Sequence, residues 1–546
     1  MLPAKNLINW IDKEIDRPKT KLVYLAILAG VTNGLLLSIV NHATNLLSDG
    51  PVRLHYLFFY IIILAVFIYS QHGVLSKAVL MIEEGLRKVR TRIANKIRLT
   101  ELVFVEKIGY NYVYNALSQD SIFISQGATN IFKTIMSAIL VVFIMLYIAF
   151  LSKIGFMIGA VSISLAIWFF LTKQHAIMER FDQSRKKDVM FFDIFEETFS
   201  GFKEIKINNA KSRDLFVHQR AMAEDAKHYK ELATISEVYV LSFSEIFFYT
   251  LLAVVIFIWP FFTEVSASLI VKISVSYMFL IIGPLNWVFT MLPILSKVES
   301  SVINLQNLEE KLDKIIKNHK IDHADLLAPP LFRSIRLENV RFEYLSSSDE
   351  IPFSLGPVNL ELRRDEILFI VGNNGSGKST LLKILVGLYY PTEGTIFIDD
   401  VPVDKDGYTE YREHFSTVFS DFHLFSRLYG VEDVDEEQIR ILLKRMGLDN
   451  NTKFLDGQFT NINLSTGQRK RLAYIAALLD NKQIYVFDEW AADQDPDFRK
   501  YFYDVLLPDL RNSGKTIIAV SHDDRFFYAS DRAFKLENGV LIQHKP

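Results

Sequence analysis

Six apolar runs before residue 300 limit what this chain can become. They are LVYLAILAGVTNGLLLSIV (22–40), YLFFYIIILAVFIYS (56–70), IMSAILVVFIMLYIAFL (135–151), IGFMIGAVSISLAIWFFL (154–171), VYVLSFSEIFFYTLLAVVIFIWPFF (238–262) and IVKISVSYMFLIIGPLNWVFTMLPIL (270–295). A bilayer-crossing helix needs about 20 residues, and each run reaches that length with tilt or polar ends. Only helices or closed barrels satisfy the backbone in lipid, and none of the runs alternates as a barrel strand would. A mean hydropathy of +0.19 fits six spans better than six buried soluble helices.

Charge sets the expected orientation. Lys5, Lys13, Arg17, Lys19 and Lys21 precede the first run, RKVRTR lies in the 81–131 stretch, and RKK lies in 173–236. The alternate connections SDGPVR (48–53), SK (152–153) and TEVSA (263–267) are short and poor in Lys and Arg. Positive charge stays inside, so both termini are expected in the cytoplasm. The first run is too long for a signal-peptide core and reads as a retained span. A net charge of −3 points away from nucleic acid, and the lack of cysteine excludes disulfides, thiolate metal sites and a cysteine nucleophile.

The long basic segments keep helical periodicity, as in LRKVRTRIANKIRLTELVF (86–104) and FFDIFEETFSGFKEIKI (191–207). This predicts that helices 2 to 5 run well past the membrane. Helical spacing persists through 296–318 and stops in HADLLAPPLF (323–332) at Pro329 and Pro330. The expected division is a membrane domain over 1–318, a linker over 319–332 and a soluble α/β domain over 333–546.

The soluble part carries the chemistry. Apolar ILFIV (367–371) reads as a strand, followed by Gly372, Asn373, Asn374, Gly375, Ser376, Gly377, Lys378, Ser379 and Thr380 and then a helical pattern. That is a phosphate-binding loop in its required strand–loop–helix setting. Its amides and helix start face phosphate charge, Lys378 supplies a cation, and the Ser379 hydroxyl suits Mg²⁺. IYVFDE (484–489) ends a second strand in adjacent carboxylates. Asp488 is read as the metal ligand and Glu489 as the general base or water-orienting group of an ATPase. The pleat of a strand would send the two to opposite faces.

Two more segments complete the pattern: LSTGQRKR (464–471) ahead of a helical run, and TIIAVSHDD (516–524) ending a strand near His522. Together, and in this order, these segments resemble the ATPase domain of ABC transporters. Six spans followed by one such domain resemble an ABC exporter half-transporter over nearly the whole chain. The resemblance implies an all-α six-helix transmembrane domain followed by an α/β P-loop NTPase domain. It makes LSTGQ the family signature, with Thr466 in place of a glycine, so that Ser465, Thr466, Gly467 and Gln468 act on nucleotide held by a partner subunit. It assigns Tyr344 to stacking on adenine, His522 to the γ-phosphate, and AADQD to a loop crossing to the partner.

Two departures stand out. The family's glutamine after the third strand block is missing from STVFSDFHLF, where Ser420 or Asp421 stands, and Trp490-Ala491 replace a usual Pro-Thr. FDEWAADQDPDFR with VFSDFHLF is similar to the bacterial cyclic-peptide and siderophore exporter group, of the pyoverdine and syringomycin type. The resemblance implies a homodimer using ATP and Mg²⁺ to export a peptide-like small molecule by alternating access. It would lie among lipid in the bacterial inner membrane and bind no nucleic acid. A lipid or lipid-linked flippase of the same fold, or a peptide-sensing regulatory ATPase without net transport, fits the same motifs. Glu245, in the fifth run, is expected on the wall of the substrate cavity, because a short charged side chain inside a span seeks a bundle interior.

Overall fold

The computed structural model describes residues 5–15, 19–46, 54–262, 266–316, 329–344, 353–431 and 435–544. The chain divides into two compact units. The first holds residues 1–96 and 109–311, and the second holds 97–108 and 312–546. Residues 97–108, expected in the membrane domain, therefore belong with the second unit. Residues 319–328 of the expected linker, residues 317–318 before it, and the connection 48–53 lie outside the described residues.

The first unit is helical. Among the described residues, six segments are long and apolar enough to cross a membrane: Thr20–Ala43, Leu54–Arg98, Tyr112–Leu151, Lys153–Lys173, Glu245–Phe262 and Leu269–Val288. The helices carrying the second, fourth and fifth spans continue far beyond bilayer thickness, over Leu54–Arg98, Lys153–Ser200 and Asn209–Ala253. At 1.5 Å per residue each exceeds roughly 65 Å, about twice the hydrocarbon core.

Two expected continuous helices are broken. The pattern at 86–104 stops at Arg98, turns through Leu99–Glu101 and resumes as Leu102–Ile108. The pattern at 191–207 stops at Ser200, and Gly201 separates it from Phe202–Ile207. Periodicity persists across both breaks because each piece keeps an apolar side.

Small residues bring the first and third spans together. A Cβ on Gly30 would lie 2.5 Å from Ile139 Cγ2, and one on Gly34 would lie 2.1 Å from Phe143 Cδ1. With little hydrophobic drive between helices in lipid, such close approach supplies the van der Waals contact that holds them. Some polar groups pair inside the bundle: Asn41 Nδ2 donates to Tyr147 Oη at 3.3 Å and Ser276 Oγ at 3.3 Å. Tyr277 Oη donates to the Gly155 carbonyl at 2.6 Å.

Lys133 lies two residues before the apolar run 135–151, half-buried, with its Nζ 4.3 Å from the centre of the Trp287 ring. A lysine at a span's centre costs at least ~2.5–3.5 kcal/mol on insertion scales, and less toward its ends. A cation–π contact returns about 0.5–2 kcal/mol.

The second unit is an α/β domain. Its strands are β1 (Ser334–Glu343), β2 (Ser354–Arg363), β3 (Ile367–Val371), β4 (Glu393–Ile398), β5 (Val401–Pro402), β6 (Phe415–Val418), β7 (Phe454–Leu455), β8 (Gln458–Phe459), β9 (Ile484–Asp488), β10 (Thr516–Val520), β11 (Arg532–Glu537) and β12 (Val540–His544). One sheet runs β12-β11-β3-β10-β9-β6, parallel except for β12, and a second is the antiparallel β2-β1-β4-β5. Strands β3, β9 and β10 are buried at every position. Their residues alternate between two cores: Leu368, Ile370, Val486 and Ile518 in one, Ile367, Phe369, Phe487 and Ile517 in the other. A sheet covered on both faces reads as an unbroken apolar run.

Leu102 and Val103 pack against the first of these cores. Glu106 Oε1 accepts from Lys383 Nζ at 2.9 Å, and its Oε2 accepts from Tyr389 Oη at 2.5 Å. Burial, and then the bond to Glu106, push the Tyr389 hydroxyl above its ordinary range.

Candidate functional site

In an open parallel sheet, ligands bind beyond the carboxyl ends of the strands. Here β3 leads into the 372–377 loop, β6 into Ser420, β9 into Asp488 and Glu489, and β10 into Ser521 and His522. The ends of adjacent strands thus converge. Phe353, Asn374, Gly375, Gly377, Lys378, Ser379, Thr380, Ser420 and Glu489 line one cavity. Gly375 and Gly377 take φ of 79° and 102°, backbone that a side chain strongly disfavours, and these turns wrap the loop onto the helix Lys378–Leu385. Lys378 is buried, its Nζ donating to the carbonyls of Gly372 at 3.0 Å and Asn373 at 3.1 Å.

Asp488 ends β9 and is 1% exposed. Its Oδ2 accepts from Ser379 Oγ at 3.3 Å, from Ser420 Oγ at 3.1 Å and from the Ser420 amide at 3.4 Å. Its Oδ1 is buried and has no hydrogen-bond partner. Burial pushes the carboxyl above the usual carboxylate range, while the Ser420 bonds oppose that rise and the neighbouring Glu489 charge adds to it. A buried carboxylate with one unsatisfied oxygen beside a serine hydroxyl fits a divalent cation. Mg²⁺ commonly keeps water and phosphate ligands and needs only one or two protein oxygens. Accordingly, no cluster of three His, Cys, Asp or Glu occurs among the described residues.

Glu489 separates from Asp488 by a different route from the one expected. It is not in the strand pleat: its φ of 50° and ψ of 35° are left-handed, and it caps the short turn Trp490–Asp493. Such a conformation is uncommon outside glycine and persists only when neighbours hold it. Lys470 is one such neighbour. It is buried, and its Nζ donates to the Glu489 carbonyl at 2.7 Å and pairs with Asp493 at 2.6 Å. Trp490 is another: its indole is buried, stacks on Phe502 at 4.4 Å and donates Nε1 to the Lys470 carbonyl at 2.8 Å. The Glu489 side chain is thereby delivered to His522 Nε2, 2.7 Å from its Oε1, with Lys378 Nζ at 3.7 Å from the same oxygen.

Tyr344 Oη and Thr380 Oγ1 are 3.0 Å apart, which puts this exposed ring beside the loop's helix. Ser465, Thr466, Gly467 and Gln468 are not among the residues lining the Lys378 cavity. They start the helix Thr466–Leu479, where Ser465 and Gln468 form a reciprocal cap. Gly467 allows a tight approach, since a Cβ there would lie 2.7 Å from the Asp493 carbonyl oxygen. Gln494 Nε2 donates to the Gly467 carbonyl at 3.0 Å. Asp421 is exposed, so Ser420 is the one that reaches Asp488. Glu245 is exposed and is the first residue of its span rather than deep within it.

Sequence reasoning did not find Phe353 or Lys470. Phe353 carries no motif. Lys470 sits in RKR directly after the signature, where a basic run looks like solvated surface.

The ABC transporter family pattern, described as "ABC transporter", matches residues 355–492. The ATP-binding protein SyrD of Pseudomonas syringae pv. syringae is 30% identical over 538 residues, covering 95% of this chain and 94% of that protein. The macrolide export ATP-binding/permease protein MacB of Escherichia coli K12 is 29% identical over 229 residues, covering 39% of this chain and 34% of that protein. Among solved structures, a bacterial Atm1-family ABC exporter with ATP bound aligns with a TM-score of 0.74 at 16% identity, over 96% of this chain and 95% of that one.

Proposed function

The chain belongs to the ABC transporter family as an exporter half-transporter, six spans and one ATPase domain in a single polypeptide, and from that premise we infer that it exports a peptide-like small molecule as a homodimer. ATP hydrolysis coupled to transport is the family's activity. Support for the peptide-like cargo is the similarity to SyrD over 95% of the chain, together with the segments FDEWAADQDPDFR and VFSDFHLF. The dimer is supported by the position of Ser465 and Thr466, exposed at a helix start and absent from the cavity that Lys378 lines. A nucleotide held by one subunit's phosphate loop would need the other's signature to close the site.

In this reading Glu489 accepts the proton of the attacking water, and His522 holds the carboxylate in place through the 2.7 Å contact. Lys378 holds the β- and γ-phosphates, and Tyr344 presents its ring to the base. Ser379 and Asp488 would hold Mg²⁺, whose chemistry here is neutralising phosphate charge. ATP binding closes the dimer and turns the cavity outward, and hydrolysis resets it, because the two states differ in affinity for ATP. Both termini would be cytoplasmic, in a bacterial inner membrane. Glu245, exposed at the start of the fifth span, is proposed as a contact on the transport path.

The test compares, by mass spectrometry, the culture medium of a deletion strain with that of its parent. Loss of a peptide-like product supports the reading if inverted vesicles also take that product up with ATP. Stimulation of the ATPase by lipid alone would favour a flippase. Stimulation by a peptide without vesicle uptake would favour a sensor.

A further inference from the structure

In the helical unit, the first, second, third and sixth spans form a half-open pocket lined by Gly30, Asn33, Gln71, Lys133, Ser137 and Trp287, among others. Lys133 is the only ionisable residue among the described residues lining it, and no carboxylate faces it there. Asn33 and Gln71 contribute amides and Ser137 a hydroxyl. The Trp287 indole Nε1 is buried without a hydrogen-bond partner. The lysine is half-buried and its Nζ lies over the Trp287 ring instead of extending along its helix to the polar end. A lysine that merely marked the end of a span would snorkel to water. The cation–π contact offsets only part of the cost of keeping charge in an apolar bundle. An unneutralised cation, an indole N–H without an acceptor and two side-chain amides form a donor-rich set, and what such a set lacks is an anion.

We propose that this pocket binds the carboxylate of the exported molecule, with Lys133 as its counter-ion and Trp287, Asn33 and Gln71 as flanking donors. The apolar lining, Phe67, Met136 and Leu140, would receive an attached acyl or apolar side chain. The cargo class is then an amphiphile with a free carboxylate, such as an acylated peptide acid. This rests on the peptide-export reading and narrows it. An anionic lipid headgroup offers similar chemistry, so the experiment must separate the two.

The full-length protein is placed in nanodiscs of phosphatidylcholine and given N-dodecanoyl-glycylglycine or its C-terminal amide. ATPase stimulation is read relative to each variant's own unstimulated rate, and tryptophan quenching is compared with a Trp287→Phe variant. The acid is expected to half-saturate at a concentration about tenfold lower than the amide. Lys133→Gln should erase that difference, Lys133→Arg should keep it, and Ser137→Asp should weaken the acid while sparing the amide. If acid and amide act equally in the wild type and Lys133→Gln changes neither, the assignment of Lys133 falls while peptide export stands. If neither probe acts, the pocket assignment falls, and peptide export stands or falls on the vesicle uptake. If phosphatidylglycerol nanodiscs alone reproduce the stimulation through Lys133, the occupant is a lipid headgroup and the cargo assignment is overturned.

Discussion

Ser420 gives two hydrogen bonds to one oxygen of Asp488, from its hydroxyl at 3.1 Å and its amide at 3.4 Å, and leaves the other oxygen buried and unpaired. Ser420, and not the exposed Asp421, makes these contacts in the segment where the resemblance to the family leads one to expect a glutamine. A serine is too short to reach far into the cavity, but it fixes the carboxylate's rotation and aims the free Oδ1. Ser420→Ala should therefore weaken metal binding more than nucleotide binding. We expect about a tenfold higher Mn²⁺ concentration for half-saturation by electron paramagnetic resonance, in line with the 10–100-fold typical of lost outer-shell partners. Unchanged Mn²⁺ affinity would remove Ser420 from that role.

Glu489→Gln keeps the side chain's size and removes its basicity. ATP hydrolysis by the purified protein should fall by about 10²–10⁴-fold with nucleotide still bound. Lys378→Ala should instead weaken ATP binding itself, read by equilibrium binding of a labelled nucleotide. Turnover near the wild-type rate in the glutamine variant would exclude Glu489 as the base.

Lys470→Met tests whether the left-handed backbone at Glu489 is held from the signature helix. The substitution leaves the Glu489 carbonyl with only the 3.3 Å bond from the Ala492 amide, and losing a hydrogen bond to a charged group costs about 1.5–3 kcal/mol. Asp493 is half-exposed and loses little. kcat should drop roughly tenfold while the Kd for ATP stays put, and Lys470→Arg should recover part of the loss. A parallel loss of binding would point to general misfolding of the loop.

How much of this was legible in the sequence depends on the range of each interaction. The six spans are legible because length and apolarity alone specify them, and the phosphate loop because its glycines and flanking strand are contiguous. Asp488 and Glu489 could be assigned roles, but not the φ of 50° that parts them, since that conformation is imposed by Lys470 and Trp490 across the fold. The docking of Glu106 on Tyr389 was hidden for the same reason, and the break at Leu99–Glu101 that frees the segment has no glycine or proline to mark it. The contact between Lys133 and Trp287 joins the third and sixth spans and leaves no local mark in the sequence.

Asp488→Asn gives a pH-dependent prediction. Burial raises the native carboxyl's pKa above its unfolded value. The ionised form therefore carries a penalty that is absent below the unfolded pKa and complete above the folded one, so metal-free stability falls as pH rises through that window. Asparagine cannot ionise and should remove this dependence. Near neutral pH the metal-free variant should melt on the order of a few degrees higher than the wild type. It should also lose the added stability that Mg²⁺ with ATP gives the wild type. A metal-free variant that melts lower would show that the Ser420 and Ser379 bonds outweigh the desolvation.

Ser465 and Thr466 lie at the start of a helix, where backbone amides favour phosphate, yet they are absent from the cavity of their own Lys378. Their partner phosphate must come from a second copy if they act on nucleotide at all. Mixing a Lys378→Ala chain with a Ser465→Arg chain separates the two possibilities. In the mixed dimer one composite site carries both lesions and the other carries neither, whereas each parental dimer has a lesion in both sites. Retention of photo-crosslinked ATP should then exceed that of either parent and approach one intact site per mixed dimer. If the signature served its own phosphate loop, every site in the mixture would keep one lesion and no recovery would be seen. Crosslinking in native membranes that yields only monomers would defeat the homodimer directly.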